Sequence, residues 1–235
     1  MTDTLPETGR SAPRVLIVVD SWQGHTAAVA RRVADGVRAQ GGHMVMRSAD
    51  DATRADLIVA DALIMGSAVH QRAMTWKMKR FVDEVCEPAW FYDDLVGRVG
   101  AVFTAGGGAG DAGGGAEAAQ LGMLTNLAAC GMILLSLPKD TPGGEFGATQ
   151  WGPTIKSTTD DMRPIPPEQM AKEHQIAFFH HGANVVRVAQ RLQGLTLAAA
   201  GRMPNPEMRA MRTEAEKDHP PGTRWGHLAD PEGAR

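Results

Sequence analysis

The sequence predicts an α/β protein in which a parallel sheet of five strands is covered by helices on both faces. Short apolar runs alternate along the chain with longer stretches of helical periodicity. The apolar runs show little in-out alternation, which is typical of strands that are buried on both faces. A chain that alternates strand and helix in this way folds as a doubly wound sheet, because crossovers between parallel strands are right-handed.

The five predicted strands are the apolar runs at 15–19, 43–47, 56–66, 99–104 and 132–137. Four predicted helices separate or follow them, at 27–40, 74–86, 116–130 and 168–192. On the helix at 74–86, the face that carries Trp76 and Phe81 is expected to pack in the core. These elements place most of the chain in one layered domain.

Domain boundaries follow from composition. Residues 13–194 are predicted to form the domain, after a disordered leader at 1–12 and before a tail at 195–235 that is rich in proline and charge. The tail is either solvated or an arm that wraps a neighbouring subunit through Trp225 and the methionines Met203, Met208 and Met211. The connection at 138–167 is too long for a plain loop, and we expect it to cover a site or to contact another subunit.

Bulk properties exclude several classes of protein. A net charge of −3 argues against nucleic acid or an anionic membrane as the main partner. The longest uncharged apolar stretch, at 127–137, is too short to span a bilayer. The two cysteines, Cys86 and Cys130, have neither metal-site nor disulfide-framework spacing. We therefore expect them to be buried thiols in a protein of the reducing cytoplasm.

The turn after the first predicted strand is the clearest functional signal. Ser21, Gly24 and Thr26 separate that strand from the start of a helix. Backbone N–H groups at a helix start, together with the helix dipole, bind anions, and hydroxyl groups add donors. The turn has neither the lysine of a Walker A loop nor the pattern G-x-G-x-x-G. A single phosphate monoester such as that of FMN therefore fits it better than a polyphosphate.

Two further turns should converge on the same edge of the sheet, because ligands bind where parallel strands end. The fourth predicted strand is followed by seven glycines in the twelve positions 104–115. Backbone of this kind can lie against a flat ring and donate N–H groups to its polar edge. The alternative is a flexible surface loop without a ligand.

Several motifs in order resemble the WrbA-type flavodoxin-like NAD(P)H:quinone oxidoreductases, within the wider superfamily of flavodoxins and NADPH-dependent FMN reductases. They are Ser-x-x-Gly-His at 21–25, Gly-Ser at 66–67, Trp90, Val-Phe-Thr at 102–104, and Gly-Gly-Glu-Phe-Gly-Ala-Thr at 143–149. The resemblance runs over about 180 residues, from 14 to 192. It implies the strand order 2-1-3-4-5, bound FMN, a tetrameric assembly, and transfer of two electrons from NADH or NADPH to a quinone.

The resemblance also implies site residues. It places the flavin-binding residues at Ser21, Gln23, Gly24, His25, Thr26, Ser67, Ala68, Val69, His70, Gln71, Thr104, Ala105, Gly106, Gly107, Gly108 and, where the family has a flavin-contacting histidine, Cys130. It places the substrate-side aromatic at Trp90, reaching over the flavin of a partner subunit. The loop at 68–72 departs from the family pattern Gly-Thr/Ser-Pro-Thr-Arg-aromatic-Gly, which affects substrate choice first and flavin affinity second.

A quinone needs a proton as well as a hydride, and His70 is the candidate donor because a histidine titrates near neutral pH. The alternatives are that His70 is a solvated loop residue and Trp90 a packing residue. The adjacent pair His180 and His181 is expected at a surface or interface, because neighbouring helical residues point about 100° apart and cannot share a metal.

Three other functions stay open. The first is a flavin reductase that supplies reduced FMN to a partner monooxygenase. The second is a flavodoxin-type electron carrier, although carriers tend to be shorter and more acidic. The third is a flavin-free interaction module.

Overall fold

The computed structural model describes residues 11–108 and 114–197, together with positions 210, 211, 213, 214, 217, 220, 222 and 224. Most of the predicted leader lies outside the described residues. So do Met203, Met208 and Trp225 of the predicted arm. Among the described residues, no helix has both the length and the apolar character that a bilayer crossing requires.

The strands are β1 Arg14–Asp20, β2 His43–Ser48, β3 Ala62–His70, β4 Ala73–Met74, β5 Val99–Gly106, β6 Ile133–Leu134, β7 Ala148–Thr149 and β8 Gly152–Lys156. The helices are α1 His25–Ala39, α2 Arg54–Ile58, α3 Trp76–Phe81, α4 Glu87–Phe91, α5 Ala116–Ala129 and α6 Ile176–Leu192.

The central sheet has the order β2-β1-β3-β5, and both β6 and β8 pair with β5 in parallel. The predicted order 2-1-3-4-5 is therefore confirmed for the five expected strands. The last of them is shorter than expected, because β6 pairs only with the start of β5 and β8 takes the place beside its end. The segment at 152–156 escaped prediction because it carries glycine, proline and lysine rather than a continuous apolar run.

Both faces of the sheet are covered, as the apolar runs predicted. In β1, Leu16 and Val18 belong to one core cluster together with residues of α3 and α5, whereas Val15, Ile17 and Val19 belong to a second cluster with residues of α1 and α6. Parallel strands buried on both faces need this continuous apolar character. The two packed layers hold the carboxyl ends of β1, β3 and β5 at one edge of the sheet.

The connection after the third strand was wrongly predicted as a loop. Strand β3 continues to His70, and Gln71 and Arg72 then form a two-residue turn with φ of 46° and 63°. Strand β4 returns antiparallel, pairing Val69 with Met74. Positive φ at both turn residues matches the hairpin geometry that usually requires Asn-Gly, so the sequence lacked the usual signal.

The second predicted helix begins later and runs on further than expected. Thr75 caps α3, because its side chain accepts a hydrogen bond from the Met78 N–H. The chain then forms a π-helical turn at Val82–Cys86 and continues as α4. Phe81 is fully buried, as predicted, but Trp76 is exposed, so half of the predicted core face is wrong.

The last predicted helix begins eight positions later than expected, at Ile176. Two short 3₁₀ turns, Pro167–Gln169 and Glu173–Gln175, precede it, and Met170 between them has extended backbone. Met170 is buried in the core between the sheet and α1. The chain before α6 is therefore anchored and runs close to the start of α1.

Candidate functional site

The connections after β1, β3 and β5 enclose a cleft at the carboxyl edge of the sheet, as the topology predicts. Its cavity volume is about 170 Å³. The cleft is lined by Ser21, Trp22, Gln23, His25, Thr26, Ala68, Val69, His70, Ala105, Gly106, Gly107, Ser157 and Thr158. Ten of these thirteen residues were predicted from the sequence.

The first wall of the cleft is the phosphate loop, residues 21–26. Gly24 is the N-cap of α1 and has φ 87°, a left-handed conformation that suits glycine. The Ser21 hydroxyl accepts a hydrogen bond from the Ala27 N–H at 3.1 Å, so this side chain caps the helix. The N–H groups of His25 and Thr26 have no acceptor within the helix and are available to an anion.

The His25 side chain is engaged within the protein. The ring is buried, and its Nε2 donates a hydrogen bond to the Ile165 carbonyl at 2.5 Å. Its backbone stays in the phosphate loop, whereas its imidazole ties that loop to the segment that precedes α6. Thr26 is buried beside it and lines the cleft.

The second wall is the hairpin of β3 and β4. Ala68, Val69 and His70 line the cleft, but Ser67 and Gln71 do not. The buried Ser67 hydroxyl accepts from the Thr75 N–H at 3.0 Å and donates to the Ala68 carbonyl at 2.8 Å. Ser67 therefore fixes the base of the hairpin instead of offering its hydroxyl to a ligand.

An aromatic contact joins these two walls. Trp22 of the phosphate loop and His70 of the hairpin meet edge to face, with ring centroids 4.7 Å apart. Trp22 remains 64% exposed, so its ring lies at the mouth of the cleft rather than in the core. The pair gives the cleft an apolar, aromatic rim beside the candidate proton donor.

The third wall is the end of β5. Ala105, Gly106 and Gly107 line the cleft. The Thr104 side chain does not, because it lies in a buried network in which it donates to Thr154 at 2.9 Å and accepts from Gln120 at 3.2 Å.

Beyond that wall, Gly108 lines a different cavity of about 730 Å³, beside the start of α5 and the segment 144–149. The middle of the glycine-rich stretch, 109–113, lies outside the described residues.

The cleft fits the two ends of FMN to different degrees. The phosphate loop supplies backbone donors and a left-handed glycine, the chemistry that a phosphate monoester needs. On the ring side, Gly106 packs directly on the hairpin, since a Cβ on Gly106 would lie 2.9 Å from the Val69 Cβ. The volume of 170 Å³ is smaller than the roughly 300 Å³ at which ligand pockets usually begin. The residues present fit FMN, provided that the ring side opens.

Trp90 and Cys130 are not part of this cleft. Together with Val82 and Cys86 they line a separate cavity of about 180 Å³ between α4 and α5. Trp90 is 52% exposed. This chain's own cleft is therefore formed without Trp90 and Cys130.

Both cysteines are buried and free, as the sequence predicted. The Cys130 thiol donates to the Cys86 carbonyl at 3.7 Å. Burial raises the pKa of the Cys130 thiol to about 11 and that of the Cys86 thiol well above its usual range. Neither is a thiolate at neutral pH, so neither is a nucleophile.

His181 was wrongly predicted at a surface. It is fully buried on the inner face of α6. Neither ring nitrogen makes a hydrogen bond of normal geometry. Burial lowers the pKa of His181 to about 4, and the neighbouring Val102 backbone opposes this only in part. The residue is a neutral core histidine, remote from the chemistry of the cleft.

Three cleft residues were missed in the sequence: Trp22, Ser157 and Thr158. Trp22 lies inside the phosphate motif, so its position was a signal that could have been used. Ser157 and Thr158 come from the long connection, more than 130 positions from the phosphate loop. The length of this connection predicted that it covers a site or contacts another subunit, but nothing in the sequence singles out these two residues.

The layered sheet and the phosphate loop define a protein of the flavodoxin class. A family model described as "Flavodoxin domain" matches residues 16–123. A protein named "Flavodoxin" from Aquifex aeolicus is 34% identical over 134 residues, which are 57% of this chain and 69% of that protein. A protein named "NAD(P)H dehydrogenase (quinone)" from Archaeoglobus fulgidus is 31% identical over 168 residues, covering 59% of this chain and 86% of the relative.

Solved structures show the same fold. A WrbA-like flavodoxin from Agrobacterium tumefaciens superposes with a TM-score of 0.60 at 21% identity, covering 77% of this chain and 99% of the other. An archaeal flavodoxin superposes with a TM-score of 0.54 at 18% identity, covering 75% and 99%. The chain belongs to the flavodoxin-like family, which includes these relatives named "Flavodoxin" and "NAD(P)H dehydrogenase (quinone)".

Proposed function

We propose that this protein is an FMN-dependent oxidoreductase that passes two electrons from NADH or NADPH to a quinone-like acceptor. The flavodoxin domain and the relatives named NAD(P)H dehydrogenase (quinone) support an FMN-type oxidoreductase. The single observation that carries the proposal is the convergence of the phosphate loop, the β3–β4 hairpin and the end of β5 on one cleft.

In this proposal the chain binds and orients its cofactor. The N–H groups of His25 and Thr26 would hold the phosphate, and backbone N–H groups of Gly106 and Gly107 would donate to the polar edge of the ring. When bound, FMN would supply the hydride chemistry that connects a nicotinamide donor to the acceptor. The protein contributes position and electrostatics rather than covalent chemistry.

His70 is the proposed proton donor to the acceptor. Its ring lines the cleft, and the edge-to-face contact with Trp22 fixes its orientation. Trp90 is proposed to complete the acceptor site of a partner subunit in a homo-oligomer, in line with its exposed position outside this chain's own cleft. The protein is proposed to act in the cytoplasm.

One preparation tests the proposal. The purified protein is incubated with FMN and desalted, and its visible spectrum is recorded before and after NADH or NADPH is added without oxygen. Retained flavin that bleaches, and that is reoxidised by a benzoquinone while still bound, supports the enzyme. His70→Ala should slow reoxidation by the quinone while flavin occupancy stays unchanged, whereas a protein that stays colourless contradicts the proposal.

A second candidate is a one-electron carrier, which the 34% identity to the Aquifex protein named "Flavodoxin" favours. The same preparation separates the two functions. A carrier would retain FMN but would not be reduced by either nicotinamide, and it would show a stable one-electron form during titration with a chemical reductant.

A further inference from the structure

The segment that follows β8 forms a hairpin, residues 157–165, whose first two residues line the cleft, and we call it the covering hairpin. Its first arm is fixed to the glycine wall. The Ser157 N–H donates to the Gly106 carbonyl at 3.0 Å, and the Thr158 hydroxyl donates to the Gly107 carbonyl at 2.8 Å. Both residues line the cleft, so this arm is part of the site itself.

The hairpin then turns and returns toward the phosphate loop. The Thr159 N–H donates to the Arg163 carbonyl at 2.9 Å, and Met162 at the turn has φ 64° and an exposed side chain. The Ile165 N–H donates back to the Ser157 carbonyl at 2.9 Å, which closes the hairpin at its base.

The second arm is fixed to the opposite wall. The Ile165 carbonyl accepts the hydrogen bond from His25 Nε2 at 2.5 Å. Two residues later, the Pro167 Cγ lies 3.2 Å from where a Cβ on Gly24 would stand. One short segment therefore contacts both loops that the proposed function assigns to FMN, the first through Thr158 and the second through Ile165 and Pro167.

The cleft beside the covering hairpin is smaller than a flavin site usually is. The cleft holds about 170 Å³, whereas sites for ligands of this size begin at roughly 300 Å³. A Cβ on Gly107 would stand 3.0 Å from the Thr158 Cγ2, so the hairpin lies directly on the glycine wall. A three-ring system needs more room than the cleft has here, and displacement of the covering hairpin from the glycine wall would provide it.

We propose that the covering hairpin is a clasp that retains FMN, closed by one latch from Thr158 to Gly107 and a second from Ile165 to His25. This inference rests on the proposed function and deepens it. A clasp of this kind makes FMN a resident group that stays bound through turnover, rather than a product released to a partner enzyme. It also assigns a ligand-retaining role to Thr158, which no motif in the sequence indicates.

The test measures the rate at which FMN leaves the loaded, full-length protein. The protein is loaded with FMN and mixed with an excess of an apoflavoprotein trap, and the release is followed by flavin fluorescence. Thr158→Val removes the hydroxyl latch at nearly constant volume and should speed release about three- to tenfold, the factor expected for one net hydrogen bond. Thr158→Ser keeps the hydroxyl and is the matched control, expected to release FMN at the wild-type rate.

A second measurement tests the clasp in the wild-type protein. Hydrogen exchange at the Thr159 and Ile165 amides should slow when FMN is bound, because these are the N–H groups that close the hairpin. If the wild type and Thr158→Val release FMN at equal rates, or if exchange at both amides is unchanged by FMN, the clasp proposal is wrong. Either result would leave the proposed binding of FMN unaffected. A wild-type protein that binds no FMN would instead overturn the proposed function, and the clasp with it.

Discussion

The phosphate loop and the β3–β4 hairpin form facing walls of one cleft but offer a ligand different chemistry. In the phosphate loop, the first N–H groups of α1 have no acceptor within the helix, so they are available to an anion. In the hairpin, Val69 pairs with Met74 and His70 pairs with Ala73. Backbone groups that take part in this pairing are not available to a ligand. One wall therefore binds through backbone N–H groups and the Thr26 hydroxyl, and the other through side chains, chiefly His70 and its contact with Trp22.

This difference indicates where binding energy and stability are located. A phosphate held by the loop supplies charge-assisted hydrogen bonds, which are about twice as strong as neutral ones. The hairpin wall offers fewer free donors, so it shapes the acceptor side more than it anchors the cofactor. Substitutions in the first wall should change affinity more than stability, and those at the base of the second should do the opposite.

The largest effect should come from outside the cleft, at the buried His181. Its pKa is lowered from 6.5 to about 4 by burial, so the unfolded chain takes up the proton first. The contribution of neutral His181 to the free energy of unfolding is therefore complete above about pH 6.5. It is lost as the pH falls toward 4, and the loss is about 3 kcal/mol in total. Urea unfolding at pH 7.5 and pH 4 measures this loss.

His181→Leu should remove that part of the acid sensitivity, because leucine does not titrate. The adjacent, half-buried His180 provides the matched control, and His180→Leu should keep the wild-type pH dependence. If His181→Leu loses as much stability on acidification as the wild type does, the assignment of His181 as a buried, neutral histidine is wrong.

The next effect tests the first wall. Thr26→Val removes a hydroxyl from the cleft at constant shape, and it should weaken FMN binding by roughly 1.5–3 kcal/mol, about tenfold to 150-fold in Kd. Fluorescence titration of the apoprotein with FMN measures this. Thr125→Val, on the exposed side of α5, is the control and should bind as the wild type does. Equal Kd values for the two variants would contradict the assignment of the phosphate to this loop.

Local chemistry explains what could be predicted in the cleft. The fold followed from continuous apolar runs, because strands buried on both faces admit few polar residues. The phosphate loop followed from Ser21, Gly24 and Thr26, because a helix start and a left-handed glycine are encoded within a few positions. These features need no knowledge of distant parts of the chain.

The remaining features depend on contacts that local patterns do not encode. Gln71 adopts a left-handed conformation because β4 pairs with β3, although nothing in its identity requires it. Thr158 reaches the cleft only because β8 pairs with the end of β5. His181 is buried because α6 packs closely on α1, where Gly182 lies against the Val33 carbonyl. In each case tertiary packing overrides the local preference.

A smaller effect tests the base of the second wall. Ser67→Ala leaves the buried Thr75 N–H without its acceptor and should lower the free energy of unfolding by about 1–3 kcal/mol. FMN affinity should fall less than in Thr26→Val, since the Ser67 side chain does not line the cleft. Urea unfolding and FMN titration of both variants give the comparison directly. A Ser67→Ala protein with wild-type stability and strongly reduced affinity would show that Ser67 contacts the cofactor.

The smallest effect tests the turn of the hairpin. Gln71 has φ 46°, a conformation that costs a residue with a Cβ about 1–2 kcal/mol. Gln71→Gly relieves this cost but adds freedom to the unfolded chain, so the net gain should be at most about 1 kcal/mol, seen as a small rise in Tm. Gln71→Ala keeps the strain and should give no gain. Because Gln71 does not line the cleft, FMN affinity should stay unchanged in both variants. A marked change in affinity with Gln71→Gly would mean that the turn itself, and not only His70 behind it, contacts the bound flavin.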